Sequence, residues 1–167
     1  MALPAVVLAA GAATRFGEPK QRLLLPRVLE RLLAAPVGEV VVVSGAYELE
    51  ADGARVVACP DWERGPGASL RCGLAALPPG TEAAVVVLAD GPDLQPGAVE
   101  RVAAAWRDGA GPLVAASYAG ERGHPLVVAR ELWGEIPDDG LRALVPALVP
   151  CDDLGAPGDV DTKADLG

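Results

Sequence analysis

Short apolar runs of Val, Ala and Leu recur along this chain, spaced widely enough for a helix to fit between most of them. This alternation restricts the fold more than any other feature. Pro4 to Leu8, Glu39 to Ser44, Arg55 to Ala58, Ala83 to Leu88 and Leu113 to Ser117 read as strands. Three of them are nearly continuous rather than alternating, as in strands covered on both faces of a parallel sheet. Helical patterns fall at Leu23 to Ala35, Ser69 to Leu77 and Pro96 to Asp108, stopped by Pro36, Pro78–Pro79 and Gly109. A further helix is expected around Gly140 to Val149. Strands alternating with helices imply right-handed βαβ units, hence an α/β fold with an open, mostly parallel sheet and helices on both faces. With no repeat, low-complexity tract or linker, residues 1–167 are expected to form a single domain.

Composition narrows the class of partner. A net charge of −9 repels nucleic-acid phosphate, so no general DNA or RNA binding is expected. An anionic ligand then needs a place where backbone N–H groups and a few cations converge. The apolar runs are too short to span a bilayer, so no membrane role is expected. Met1 to Leu8 lacks a basic leader and reads as a first strand. The three cysteines, Cys59, Cys72 and Cys151, include no C-x-x-C pair, and the chain has one histidine, which makes a structural zinc site improbable. Reduced thiols and a cytoplasmic location are expected.

Five segments can carry chemistry. Leu8-Ala9-Ala10-Gly11 follows the first strand and runs on to Arg15 and Lys20. Small residues let the backbone approach a ligand, and successive N–H groups form a concave donor surface for phosphate. Arg15 and Lys20 are in reach to neutralise a triphosphate, unless they are solvated surface cations. The spacing matches neither the dinucleotide fingerprint nor the Walker A loop. Asp90, followed by Gly91 and Pro92, ends an apolar strand, where ligand crevices of open α/β sheets lie. It can hold Mg²⁺ against phosphate, or simply start a turn. Asp159 and Asp161 stand two apart in an extended segment, so that both can approach one cation, unless this is a solvated acidic tail; Thr162 with Asp165 offers a helix cap, which is compatible with the metal role. Gly65, Gly67, Ser69 and Gly73 lie in a glycine loop leading into a helix; its backbone can read a nucleobase edge, or Ser69 can be an N-cap. His124, between Gly123 and Pro125, is placed in a loop after a strand with either a structural or a functional role.

In this order, the five segments resemble the MobA-like NTP transferase family, and most closely its molybdenum-cofactor cytidylyltransferase branch. Leu8 to Gly11, Arg15-Phe16-Gly17 and Lys20-Gln21 are similar to its signature loop. Trp62 with Gly65 to Gly73 is similar to its base-side loop, and Asp90-Gly91-Pro92 to its metal aspartate motif. Arg122-Gly123-His124-Pro125 and Asp159-Val160-Asp161-Thr162 are similar to its acceptor and second carboxylate motifs.

The resemblance implies a Rossmann-like sheet of the nucleotide-diphospho-sugar transferase type. It also implies transfer of CMP from CTP to the phosphate of molybdopterin, with release of pyrophosphate. Mg²⁺ would sit on Asp90 and on Asp161 or Asp159, Arg15 and Lys20 on the triphosphate, and His124 and Pro125 beside the acceptor. A molybdoenzyme or its chaperone is a candidate partner. Alternative acceptors are a sugar phosphate or phospholactate, and a shortened nucleotide binder without turnover is the alternative of another class. The chain departs from the pattern twice. Leu25-Pro26-Arg27-Val28 runs straight into a helix where relatives carry a Gly-x-Pro hairpin, and Gly45 to Arg55 is too short for the usual second helix.

Overall fold

The computed structural model describes residues 2–11 and 20–158, with Lys20 and Gln21 described by their backbone alone. Seven strands form one sheet in the order β3-β2-β1-β4-β6-β5-β7. They are β1 (Leu3–Ala9), β2 (Val37–Ser44), β3 (Arg55–Ala58), β4 (Ala83–Leu88), β5 (Leu113–Tyr118), β6 (Glu121–Ala129) and β7 (Ala147–Pro150). Neighbouring strands are parallel except around β6, which runs against both β4 and β5. The open, mostly parallel α/β sheet expected from the pattern is present.

Alternate residues of the central strands feed two cores. Val7, Val42, Val85 and Val87 pack with Val28 and Leu32 of α1 (Lys20–Leu33) and with Val99 and Val102 of α3 (Pro96–Arg107). Val6, Val41, Val43 and Val86 face the other way, onto Leu70 and Leu74 of α2 (Pro66–Ala75). Because both faces are covered, the runs are continuously apolar, and the period of two is visible only in which core each side chain enters. A Cβ at Gly73 would come within 2.7 Å of Val6 and Val43 side chains, so this glycine lets α2 lie close on the sheet.

Helix boundaries depart from the expected ones at the first turns. α1 starts at Lys20 rather than Leu23 and keeps Pro26 inside it. α2 starts at Pro66 with Gly65 as its N-cap, so Ser69 is a buried residue within the helix and not its cap. The helix expected over Gly140 to Val149 does not form: the segment is turns followed by β7. Pro146 disfavours helix in the residue before it and removes a donor, which outweighs the leucines.

Two strands escape sequence pattern. β7 is one, and β6 is the other, interrupted by Gly123 and Pro125. Pro125 lies just beyond the stretch paired with β4, which ends at Leu126, and at the register shift against β5 between Ala115 and Ser117. No regular ladder bond is forfeited there, so the strand tolerates a proline.

The expectation of uniformly reduced thiols is corrected. Cys59 and Cys72 form a disulfide, and Cys151 is a buried free thiol. The pair stands 13 positions apart in sequence, but Cys59 follows β3 and Cys72 lies on α2, which covers the same sheet face, so their Cα atoms are 5.9 Å apart.

The connection from β2 to β3 spans residues 45–54 without a helix. Parallel strands usually need a longer crossover carrying one. Here a groove of about 1050 Å³ remains between α1 and the sheet edge, lined by Leu29, Leu33 and Val56 and by Glu30, Glu48, Glu50 and Asp52. Among the described residues no helix is long and apolar enough to cross a membrane.

Candidate active site

Two cavities flank the carboxyl end of β4 and share Leu88. The first, about 450 Å³, is walled by Leu8, Ala9, Ala10 and Gly11 at the end of β1, by Trp62, Glu63, Gly65, Pro66 and Ser69, and by Asp90. The second, about 380 Å³, is lined by Gly91, Leu94, Tyr118, Arg122, Gly123, His124 and the segment Ala156 to Gly158. Asp90 and Gly91, consecutive in the turn after β4, therefore face opposite cavities.

The geometry at the end of β1 follows from pairing. The Ala89 N–H donates to the Leu8 carbonyl at 3.0 Å, and the Ala46 N–H to the Ala10 carbonyl at 3.2 Å. The first bond carries the turn bearing Asp90 alongside the small-residue loop, and the second ties that loop to the segment after β2. Arg15 lies outside the described residues, as does the side chain of Lys20. The two ends of that loop are fixed at Gly11 and at the start of α1.

The start of α2 forms the opposite wall. Pro66 has no N–H. The Gly67 N–H donates to the Asp138 carbonyl at 2.8 Å, while those of Ala68 and Ser69 turn back to the Gly65 carbonyl at 3.2 and 3.3 Å. The donors that make a helix N-terminus a phosphate site are thus engaged within the protein, and this wall suits a neutral ring better than a phosphate. Of the residues expected here, Gly65 and Ser69 line the cavity. Gly67 instead faces the 137–140 loop, and Gly73 faces the sheet.

That loop was not foreseen as part of the site. The Asp138 carboxylate accepts hydrogen bonds from Arg71 at 2.5 Å and from Arg64 at 3.2 Å, and Arg71 also donates to the Ile136 carbonyl at 2.6 Å. The Arg71 hydrogen bond, with Arg64 adding to it, holds the Asp138 carboxyl below its ordinary range against the opposing effect of burial.

On the other flank, His124 sits within β6 rather than in a loop. The Tyr118 hydroxyl donates to the His124 carbonyl at 2.7 Å, and Arg122 donates to the Leu144 carbonyl at 2.7 Å. Burial pushes the His124 imidazole down to about 4; the Asp90 carboxylate pulls it the other way, and Arg122 adds to the depression. The imidazole is therefore neutral near pH 7. Tyr118, held up to about 12 chiefly by burial, stays a donor. Pro125 is buried behind His124, across a cis peptide bond.

The tail is guided to this flank. Arg101 clamps Asp153 through two bonds of 2.8 and 3.0 Å, and the Asp93 N–H donates to the Pro157 carbonyl at 2.8 Å. The Gly158 carbonyl would lie 3.4 Å from a Cβ on Gly91. The described chain thus reaches the turn that carries Asp90, and Asp159 and Asp161, the next acidic residues, lie outside the described residues. Among the described residues no cluster of three metal-ligating side chains occurs. A hard carboxylate such as Asp90, next to a cavity walled by backbone, is chemically suited to Mg²⁺ or Mn²⁺.

Comparison with known proteins identifies the lineage. The MobA-like NTP transferase domain model matches residues 5–149. The crystal structure of Rv0371c from Mycobacterium tuberculosis is 31% identical, with 99% of this chain and 96% of that one covered and a TM-score of 0.79. A complex of Rv0371c with manganese is 29% identical, with the same coverage and a TM-score of 0.72. A nucleotidyl transferase from Methanothermobacter shares the fold at 22% identity, covering 99% of this chain and 94% of that one, with a TM-score of 0.75. No curated protein matches the chain. A family match over most of the chain, together with a relative at 31% identity along nearly its whole length, places this protein in the MobA-like NTP transferase family, as a nucleotidyltransferase.

Proposed function

We propose that this chain transfers CMP from CTP to a phosphorylated acceptor, molybdopterin being the first candidate, with release of pyrophosphate. The observation that carries this reading is the pair of cavities on either side of the Asp90–Gly91 turn, because a two-substrate transfer needs two sites meeting at one carboxylate.

The nucleotide would occupy the cavity between Leu8–Gly11 and Trp62–Ser69, with its base against the α2 wall and its phosphates towards the loop bearing Arg15 and Lys20. Those two cations would hold the triphosphate and neutralise charge developing on the departing pyrophosphate. The acceptor would enter beside His124 and Pro125, where the neutral His124 imidazole offers a hydrogen bond without adding charge and the Tyr118 hydroxyl, donating to the His124 carbonyl, fixes the backbone there. The acceptor phosphate oxygen attacks the α-phosphorus while the α–β bridging oxygen leaves with pyrophosphate. No general base is assigned, since such a phosphate is already ionised near neutral pH. Catalysis then rests on alignment and charge neutralisation.

Asp90, with Asp161 or Asp159, would hold a Mg²⁺ ion, which supplies positive charge against the reacting phosphates. The manganese complex of the M. tuberculosis relative supports divalent-ion binding in this lineage. A pyrophosphate-release assay with each NTP, with and without molybdopterin, a sugar phosphate or phospholactate, tests the proposal. Release that requires CTP, divalent ion and molybdopterin is expected. Nucleotide binding without release under any combination would instead favour a non-catalytic relative, a reading to which the helix-free segment 45–54 lends support.

A further inference from the structure

One wall of the first cavity, opposite Leu8 to Gly11, is the stretch Trp62 to Ser69. The disulfide closes the root of this stretch, joining Cys59 to Cys72. Its tip is fixed by the 136–140 loop. Arg64 and Arg71 bracket the cavity-lining Gly65, Pro66 and Ser69 in sequence, and both donate to the Asp138 carboxylate. Between them the Gly67 N–H donates to the Asp138 carbonyl. The approach is close: a Cβ on Gly67 would lie 1.7 Å from the Pro137 carbonyl oxygen, and one on Gly65, at φ +133°, would lie 2.3 Å from that of Asp138. Two points of this stretch, Arg64 and Gly67, and Arg71 just beyond it are therefore gathered on one residue, which itself lines neither flanking cavity.

We infer that Asp138 is a positioning residue that sets the geometry of the nucleotide wall, acting through Arg64, Arg71 and the Gly67 N–H. The inference rests on the reading that this cavity takes the nucleotide. Asp138 also keeps two guanidinium groups engaged on the far side of the wall. Losing its charge releases Arg64, leaves Arg71 held only by the Ile136 carbonyl, and lets the start of α2 shift relative to the 136–140 loop. The acceptor cavity, on the opposite side of the Asp90–Gly91 turn, shares no residue with the clasp.

The test combines calorimetric NTP titration, steady-state kinetics and melting of Asp138→Asn. A rise in NTP KM of roughly three- to five-fold is expected, the scale of losing two partly exposed ion pairs. kcat at saturating NTP and the acceptor KM should stay within about two-fold, because the residues around Asp90 and His124 are untouched. Arg71→Gln should act in the same direction, and the double variant should be no worse than the more damaging single one, since one clasp is broken in either case. Should Asp138→Asn fail to fold, the more exposed Arg64→Gln reports on the same tether, with a smaller rise in NTP KM. An unchanged NTP KM in the variants that fold, effects of Asp138 and Arg71 that multiply, or kcat and both KM values worsening together with the melting temperature would each overturn the inference. If the wild-type protein binds no NTP, the nucleotide reading falls and the inference with it; if wild type and variants bind equally well, only the inference falls.

Discussion

The two flanks of β4 are built by opposite rules. On the nucleotide side, β1 and β4 run parallel and both present their carboxyl ends to the crevice, the usual place for ligands in open α/β sheets. On the other side β6 runs antiparallel to β4, so its amino end, Glu121 to His124, reaches the same level. The first flank offers mainly backbone and small residues, whereas the second offers Tyr118, Arg122 and His124. Reversing β6 thus places Arg122 and His124 where a parallel strand would have supplied another loop, beside Tyr118 at the end of β5. On the proposed function, phosphate handling would use the first arrangement and acceptor recognition the second.

The sharpest test of this division is Asp90, which stands between the flanks. Asp90→Asn is expected to lower kcat by on the order of 100-fold or more with little change in melting temperature, because the charge facing the reacting phosphates is lost. Wild-type rates at limiting Mg²⁺ would remove Asp90 from the site. Next in size, Arg15→Ala and Lys20→Ala should each lower kcat/KM for the NTP by roughly ten- to a hundred-fold, the loss expected of hydrogen bonds to a charged group. Unchanged values for both would make them surface cations and leave the nucleotide flank without counter-charge.

His124 tests the other flank. His124→Ala should raise the acceptor KM more than the NTP KM, and a defect confined to the NTP would reverse the assignment. The same residue gives a pH signature. Its folded value near 4 lies below the ordinary value of 6.5, so between those values the unfolded chain binds more protons and stability falls as pH falls. The loss is on the order of 3 kcal/mol from pH 6.5 to 4. A melting series should show this slope in the wild type and a flatter one in His124→Gln; identical slopes would mean that the imidazole is not buried as described. The smallest effect concerns the base. Ala10 puts a methyl group on the wall of the first cavity where a glycine would leave room, so on the cytidylyl reading CTP should bind more tightly than GTP. The margin should be about 1–3 kcal/mol, as for a methylene-sized change in a pocket. Equal affinities in calorimetry would remove the cytidylyl preference and leave nucleotidyl transfer standing.

Much of the first flank is legible in the sequence, because parallel strands buried on both faces leave uninterrupted Val and Ala runs, with loop residues directly after them. Leu8 to Gly11 and Asp90 are found that way. The second flank is not, because Gly123 and Pro125 erase the pattern of β6, and Pro146 with Pro150 obscures β7. The Cys59–Cys72 bond and the Asp138 clasp are invisible for another reason. Each joins segments whose proximity is created only when α2 settles on the sheet, and neither leaves a local periodic trace. Gly73 shows the converse: it belongs to a glycine-rich motif, yet its smallness serves helix packing rather than a ligand.

The missing helix between β2 and β3 has a consequence for how the molecule opens. β3 is a four-residue edge strand, partly exposed along its whole length, and the groove beside it lacks the cover that a crossover helix would give. Segments with few buried apolar neighbours open locally at the lowest cost, so amide hydrogens of Arg55 to Ala58 should exchange well ahead of those in β1 and β4. Yet Cys59, the next residue, is bonded to α2. Fraying of this edge is therefore stopped at Cys59, three residues before Trp62 and the proposed nucleotide wall. A reductant that breaks the bond would let the opening run on through Trp62, joining the least protected edge of the sheet to the mouth of the crevice.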